Sequence, residues 1–539
     1  MGGKWGALIV LSAAQFLMVL DQSVMNVSIS QLVADFDTTV TTIQAVITLY
    51  ALVMAALMLT GGKLGDLFGR RRVFVIGLVI YGVGSALTAA SWSVPTLTLG
   101  WSVLEGIGAA MVLPALVALA AGTYSGRDRA TVYGVLGGVA GAGIAVGPIL
   151  GGWLTTNLTW RLVFAGEVVL VIAILLFARL LREPSREGER PALDWVGSVL
   201  SALGLSLIVF GVLQASNWGW LEPRDSPVEP FGFALTPFVI AAGGLVLWGF
   251  RAWERHREEA GREPLVHFRL LGIPILRGGL VMLLAQNLIL MGVFFAVPLY
   301  LQIVQGFDAF ETGVQMLPVS ITMLLTAASG SALASRWAPR TIVRAGLAVL
   351  LLAVVMLLAT IDPEIDTTSF AIAMGVLGVG LGLIASQLGN VVQSAIADPD
   401  RSEAGGLQYT AQQLGSSLGT ALIGAVVITG LLTAFTANVA DNPAISDEVA
   451  QEVGIRVQGD VSFVESDQVR GAATEEGLDE PTVDALVEDY ENAQLQALKT
   501  GLLIAGLIVV ASFAGTRRLP TSRFGEQPIE ASPPAAVET

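Results

Sequence analysis

Three carboxylates interrupt apolar runs that are long enough to cross a bilayer: Asp21 in LDQSVMNVSIS, Glu105 in LGWSVLEGIGAAMVLPA and Glu167 in WRLVFAGEVV. A charge at that depth is expensive, so such residues usually face a pore or bundle interior and carry function. Gln22, Asn26 and Ser30 follow Asp21 at helical spacing and give the outer half of its run a polar stripe. Asp21 is read as a proton carrier. Glu167 lies nearer the outer surface and reads equally as a structural partner or a secondary site.

The elements that hold these acids are membrane helices. The chain has 539 residues, 54% of them hydrophobic and only 14% charged, and a mean hydropathy of +0.71. Fourteen apolar runs of about bilayer length are read: 5–30, 41–61, 72–91, 95–122, 129–155, 160–181, 193–216, 231–252, 276–303, 311–334, 340–360, 368–396, 403–434 and 496–515. No Cys is present, which excludes disulfides and thiolate metal sites. No cleavable leader is read, because the first run starts at Trp5 and continues to span length.

Charge sets the expected orientation. With fourteen spans both ends share one side, and that side receives 24 of the 29 basic residues. The opposite side keeps Arg161, Arg224, Arg456, Arg470 and Lys499. The positive-inside rule therefore places both termini in the cytoplasm of a multi-pass plasma-membrane protein. The net charge of −15 is concentrated: 15 acidic residues and two Arg lie between Thr436 and Gln496, before the last span. This extracellular segment, 436–496, reads as a solvated acidic loop with helical spacing in EVAQEV and TVDALVEDY. The tail 519–539 is expected to be disordered and cytoplasmic.

GVLGGVAGAGIAVGPILGG, residues 134–152, is the most specific string in the chain. Gly143, Gly147 and Gly151 recur every fourth residue, leaving one helix face without side chains, so another backbone can approach closely. Pro148 removes a backbone donor inside the same helix, and Gly152 completes the pattern. The full spacing resembles the antiporter motif in span 5 of the major facilitator superfamily's drug:proton exporters. The turn GGKLGDLFGRRR, 61–72, resembles that family's signature after span 2, matching at Gly62, Leu64, Asp66, Gly69, Arg70, Arg71 and Arg72. The resemblance implies that Asp66 binds neighbouring Arg and helix ends and latches the cytoplasmic side shut. A faded copy, SALASRWAPR, occupies 331–340, with Ser335 where Asp66 stands.

The surroundings of Asp21 resemble the span 1 motif of the fourteen-helix exporter group. In span 4 the family pattern would place Arg at 102 and Gln at 105, whereas this chain has Ser102 and Glu105. Two acids, Asp21 and Glu105, then face an inner cavity without that cation, and desolvation with mutual repulsion favours a shared or alternating proton. The second half offers amides and hydroxyls instead: Gln286, Asn287, Gln387, Asn390, Ser394, Gln408, Tyr409 and Gln412. By analogy with the family, these groups line a central cavity, where Asn26, Tyr50, Phe294 and Phe295 help to hold an amphipathic ligand.

The chain is identified as a member of the major facilitator superfamily, fourteen-helix drug:proton antiporter group. The resemblance implies an all-α membrane fold of two six-helix bundles, 1–190 and 276–518, separated by two additional helices and a basic linker, 191–275. The implied function is proton-coupled efflux of amphipathic drugs or toxic compounds by alternating access. Export of a lipid, siderophore or other metabolite is the alternative. A lipid-modifying enzyme or a non-transporting receptor fits less well: the loops are short and His is limited to His256 and His267. No phosphate-binding loop with Lys occurs, which argues against ATP coupling. The expected partners are a small amphipathic molecule, protons and membrane lipid. No catalytic residue, metal site, cofactor or nucleic acid is read, and a monomer is expected.

Overall fold

The computed structural model describes residues 4–124, 126–183, 193–396, 401–446, 449–450 and 463–522. Its backbone is helical, with no strand among the described residues. The membrane-length helices are α1 (Lys4–Val24), α2 (Val40–Phe68), α3 (Arg70–Ala89), α4 (Gly106–Thr123), α5 (Gly126–Asn157), α6 (Arg161–Phe177), α7 (Trp195–Trp218) and α8 (Thr236–Glu259). They continue as α9 (Pro274–Leu299), α10 (Ala309–Ala328), α11 (Pro339–Thr360), α12 (Thr367–Ser394), α13 (Arg401–Asp441) and α14 (Glu480–Gly515). Thirteen described helical segments are long and apolar enough to cross a membrane by length and composition. The fourteenth, α10, has 20 residues, and Glu311, Gln315 and Pro318 dilute its apolar character.

Local chemistry sets the helix ends. The Thr39 side chain accepts the Thr42 N–H at the start of α2. At α10, Asp308 and Glu311 form a reciprocal capping box. Gly69, at φ +100°, ends α2 in a conformation that a side chain would resist. A π-helical segment, Thr98–Glu105, leads directly into α4.

Two seams join the halves: α2 against α13, and α5 against α10. Each pairs the second helix of one half with the fifth helix of the other, so exchanging the halves exchanges the seams. That is the pseudo-symmetry of an internally repeated transporter. The additional helices α7 and α8 pack on each other, and α7 contacts both α2 and α13. Leu205 and Val209 of α7 cluster there with Leu52, Leu414 and Leu418. The α2–α13 seam is therefore covered.

The α5–α10 seam is closed at the end bearing Ala309. A β-carbon at Gly152 would collide with the Ala309 carbonyl, and one at Gly313 with the Pro148 carbonyl. Further along, the Ser320 hydroxyl donates to the Ile144 carbonyl at 3.3 Å. Closer to the opposite, basic end, nothing lies within 4 Å of the β-carbon positions of Gly138 and Gly137.

Several span boundaries differ from the sequence reading, and those around the acidic segment matter most. α13 continues to Asp441, and α14 begins at Glu480 rather than near 496. TVDALVEDY is thus the first part of the last membrane helix, extended beyond its apolar portion, and its buried Val483, Leu486, Val487 and Tyr490 form one face. Most of EVAQEV and the tail after Ser522 lie outside the described residues.

Candidate functional site

Asp21, Glu105 and Glu167 meet inside the first bundle. Carboxylate oxygens of all three lie within 4.8 Å of one another, and all three residues are buried. The close approach has a local cause: a β-carbon at Gly84 would sit 2.6 Å from Glu105 Cγ and 2.7 Å from the Gly100 carbonyl. Small residues on both sides of this crossing let α3 lie against the π-helical segment. The widened turn there presents Trp101 and Glu105 inward, and π-helical turns recur at functional sites.

Each acid receives neutral donors on one oxygen only. The Trp101 indole donates to Asp21 Oδ1 at 2.9 Å. The Thr88 hydroxyl donates to Glu105 Oε1 at 3.0 Å. Tyr81 and Ser85 hydroxyls both donate to Glu167 Oε2 at 3.2 Å. Asp21 Oδ2, Glu105 Oε2 and Glu167 Oε1 are buried without a hydrogen-bond partner. Among the described residues, no Lys, Arg or His forms an ion pair with any of the three. At an effective dielectric constant near 20, two unit charges about 4.8 Å apart repel by roughly 3–4 kcal/mol. The three therefore cannot all be ionised at once without protons or another positive charge.

Glu167, read as a structural partner or a secondary site, joins the cluster. The arrangement corrects the reading of the cavity. Asp21 and Glu105, 1% and 0% exposed, do not open onto a cavity but are enclosed by Trp101, Thr88 and their neighbours. Tyr50, expected as a ligand contact, stacks on Trp101 with ring centroids 4.9 Å apart and planes at 9°. Trp101, Tyr81, Ser85 and Thr88 are functional-site residues that the sequence reading missed. Their signal was the pairing of small Gly84 and Gly100 with Thr88 on adjoining helices.

The glycine stripe of α5 serves this region. Gly143 faces Val19 and Leu20, Gly147 faces Ser23, and Gly151 faces Val24, all on α1 beside Asp21. The Ser23 hydroxyl donates to the Leu20 carbonyl at 2.9 Å and to that of Gly143 at 3.3 Å. Pro148 and Gly152, on another face of α5, meet α10 of the second bundle. One helix thus touches both the acid-bearing helix and the opposite bundle.

At the Gly69 turn, Asp66 pairs with Arg70 at 3.3 Å, and Arg70 also donates to the Ala118 carbonyl at 3.2 Å. Glu183, just past α6, accepts the backbone N–H groups of Arg70 at 2.6 Å and Arg71 at 3.0 Å. These contacts tie helices of the first bundle to one another at the end where the resemblance implies a latch. From this turn Lys63 reaches farther, pairing with Glu263 of the linker after α8 at 3.0 Å. Gly62 stands near Pro114 of α4.

The model of the Major Facilitator Superfamily matches residues 11–420. The chain belongs to this superfamily. It is 32% identical to a probable actinorhodin transporter of Streptomyces coelicolor over 81% of this chain and 75% of that protein. It is equally similar, at 32%, to the puromycin resistance protein pur8 of Streptomyces alboniger, over 82% and 85% of the two chains. A bacterial homologue of the human lysosomal transporter Spinster, in an inward-facing and occupied conformation, shares the fold. Its TM-score is 0.61 at 14% identity, covering 98% of this chain and all of the other. The protein is a multi-pass membrane transporter, not an enzyme.

For this major facilitator protein the expected ligand contacts divide by exposure. Asn26, Tyr50, Gln286, Phe294 and Gln387 are buried. Asn26 donates to the Gln22 carbonyl one turn earlier, whereas Gln286 donates to that of Leu381 and Gln387 to that of Gly330, joining separate segments in this conformation. Asn287, Tyr409 and Gln412 are half-buried, and Asn390 is exposed. Gln393 and Gln408 bond to each other across α12 and α13 at 3.4 Å.

Proposed function

We propose that this transporter exports amphipathic small molecules by alternating access in exchange for protons, with Asp21 and Glu105 as coupling acids. The observation that carries the reading is the buried carboxylate cluster, which lacks an ion-pair partner and lies beside the glycine-lined face of α5. A protonation change at Asp21 acts two residues from Ser23, which α5 holds, and α5 is also the helix that meets α10. Proton and ligand need only favour different gate states for exchange to follow. The driving force is the proton gradient, and no cofactor is required. Relatives named for actinorhodin transport and puromycin resistance support antibiotic-like cargo. Because the first of them is named for transport of a compound rather than for resistance, export of a lipid, siderophore or other metabolite is the second reading.

The basic residues support a plasma-membrane orientation with both termini cytoplasmic. Single cysteines introduced at the termini of this cysteine-free chain test that topology by labelling from either side. Reconstitution tests the function: proteoliposomes with an imposed pH gradient are offered cationic dyes, lipids and anionic metabolites. Gradient-dependent movement of an amphipathic compound is expected. Equal rates with and without the gradient would overturn proton coupling.

A further inference from the structure

We propose that Gln302 is the clasp of the outer gate: its amide holds the second bundle against a break in span 1, and its release lets the transporter open outward. The proposal rests on the alternating-access reading and the orientation given above, and it names a positioning residue for them.

The break belongs to span 1 itself. α1 stops at Val24, a 3₁₀ turn covers Met25–Val27, and a new helix runs over Ile29–Phe36. A helix start leaves its first N–H groups without intrahelical partners. One of these, the Ser30 N–H, donates to Gln302 Oε1 at 3.2 Å. The Ser30 hydroxyl donates to the same oxygen at 2.6 Å, and Gln302 Nε2 donates to the Val27 carbonyl at 2.9 Å. A backbone donor and a backbone acceptor together demand an amide. A carboxylate would lose the bond to Val27, and an apolar side chain would lose all three.

The second bundle presents Gln302 rigidly. The residue is buried in a π-helical turn, Tyr300–Val304, at the end of α9. Behind it the Tyr300 hydroxyl donates to the Asp362 carbonyl at 2.8 Å, and the Gln305 amide donates to the same carbonyl at 2.9 Å. The turn is thereby braced against the α11–α12 connection. The polar stripe that follows Asp21 meets the second bundle twice: Gln22 donates to Gln413 of α13 at 3.2 Å, and Ser30 donates to Gln302. Span 1 is held on both sides of its break. Other contacts between the bundles are neutral as well. Gln44 donates to the Thr420 carbonyl at 3.0 Å, and the Phe310 N–H donates to the Thr156 hydroxyl at 3.1 Å. Salt screens interactions between charges, so a closure made of such contacts should not depend on ionic strength.

The test uses the full chain with Ser417→Cys as reporter. Ser417 is fully buried at the α2–α13 seam, where its hydroxyl donates to the Thr48 carbonyl at 3.0 Å, and the chain has no other Cys. Right-side-out vesicles without a pH gradient receive a membrane-impermeant thiosulfonate, and the modification rate follows the outward-open fraction. Gln302→Met keeps the side-chain length and should raise that rate on the order of tenfold or more. Ser30→Ala removes only the hydroxyl bond and should raise it about threefold, which covers the case in which Gln302→Met fails to fold. Unchanged rates in both variants, even with lowered thermal midpoints, would make Gln302 a packing residue and overturn the clasp. A wild-type rate that climbs with salt would assign the closure to charged groups and overturn it too. No proton gradient enters the assay, so the clasp and proton coupling fail separately. Raised rates without gradient-driven transport remove the coupling and leave the clasp, whereas gradient-driven transport with unchanged rates does the reverse.

Discussion

A β-carbon on Gly147 would occupy the place of the Ser23 hydroxyl, the same hydroxyl that donates to the Gly143 carbonyl. The glycine stripe and the segment flanking Asp21 are therefore fitted to each other with no spare volume. Overpacking of such a contact costs about 1–3 kcal/mol. Gly147→Ala should lower the thermal midpoint and depress transport. Ser23→Gly in the same chain should restore much of both, because neighbouring substitutions that relieve one clash are non-additive. A double-mutant cycle showing simple additivity would mean that the clash is absorbed elsewhere.

Asp21→Asn removes the charge and leaves an amide oxygen for the Trp101 indole, so the cluster should still assemble. The variant should insert and remain monodisperse, while transport driven by a pH gradient is abolished or becomes passive exchange. Glu105→Gln and Glu167→Gln should show related defects, and pairs of substitutions should not add if the acids share protons. Undiminished uphill transport by Asp21→Asn would move coupling to another residue.

These acids also mark how far the sequence could be read. Asp21 and Glu105 were visible because a carboxylate in a bilayer-length apolar run is rare and expensive. The place of Glu167 was not, because it depends on the depth and rotation of α6 relative to α3, and hydropathy carries neither. Tyr81 and Ser85, which fix it, lie more than 80 positions away. The glycine string was legible because a spacing of four is a helix face by itself. Its two faces, one toward α1 and one toward α10, followed only from the packing. The amides were visible as polar points, but whether Gln387 met a ligand or the Gly330 carbonyl was a matter of which neighbour lay opposite.

The linker after α8 offers a pH-dependent contact. His267 Nδ1 lies 2.9 Å from Glu403 Oε2, and the His267 N–H donates to Glu403 Oε1. The Glu403 hydrogen bond raises the imidazole above its usual value of 6.5, against an opposing desolvation effect. A group with a raised folded-state value contributes stability fully below its unfolded value and loses it as pH rises through the folded value. The stabilising margin of the wild type over His267→Gln should thus be largest below about pH 6 and shrink on going alkaline. Thermal midpoints of both proteins across pH 5.5–9, a range set by the roughly 6.5 reference value, measure it. A constant difference would mean that His267 acts through packing alone.

Pro148 separates a moving hinge from a packing device. The helix assignment runs unbroken through it, from Gly126 to Asn157, although proline withholds one backbone donor. Its carbonyl lies against Gly313, where the bundles touch, and one turn later Gly152 meets Ala309. Pro148→Ala leaves that carbonyl and the close approach in place, adds no bulk and restores the missing hydrogen bond. If the α5–α10 seam opens during transport by yielding at Pro148, the stiffer helix should bind substrate normally yet turn over more slowly or leak protons. Substrate affinity, turnover and gradient decay in proteoliposomes resolve the three. A Pro148→Ala protein unchanged in all of them would limit the motif to packing, and the sequence argument for antiport over symport would lose its main support.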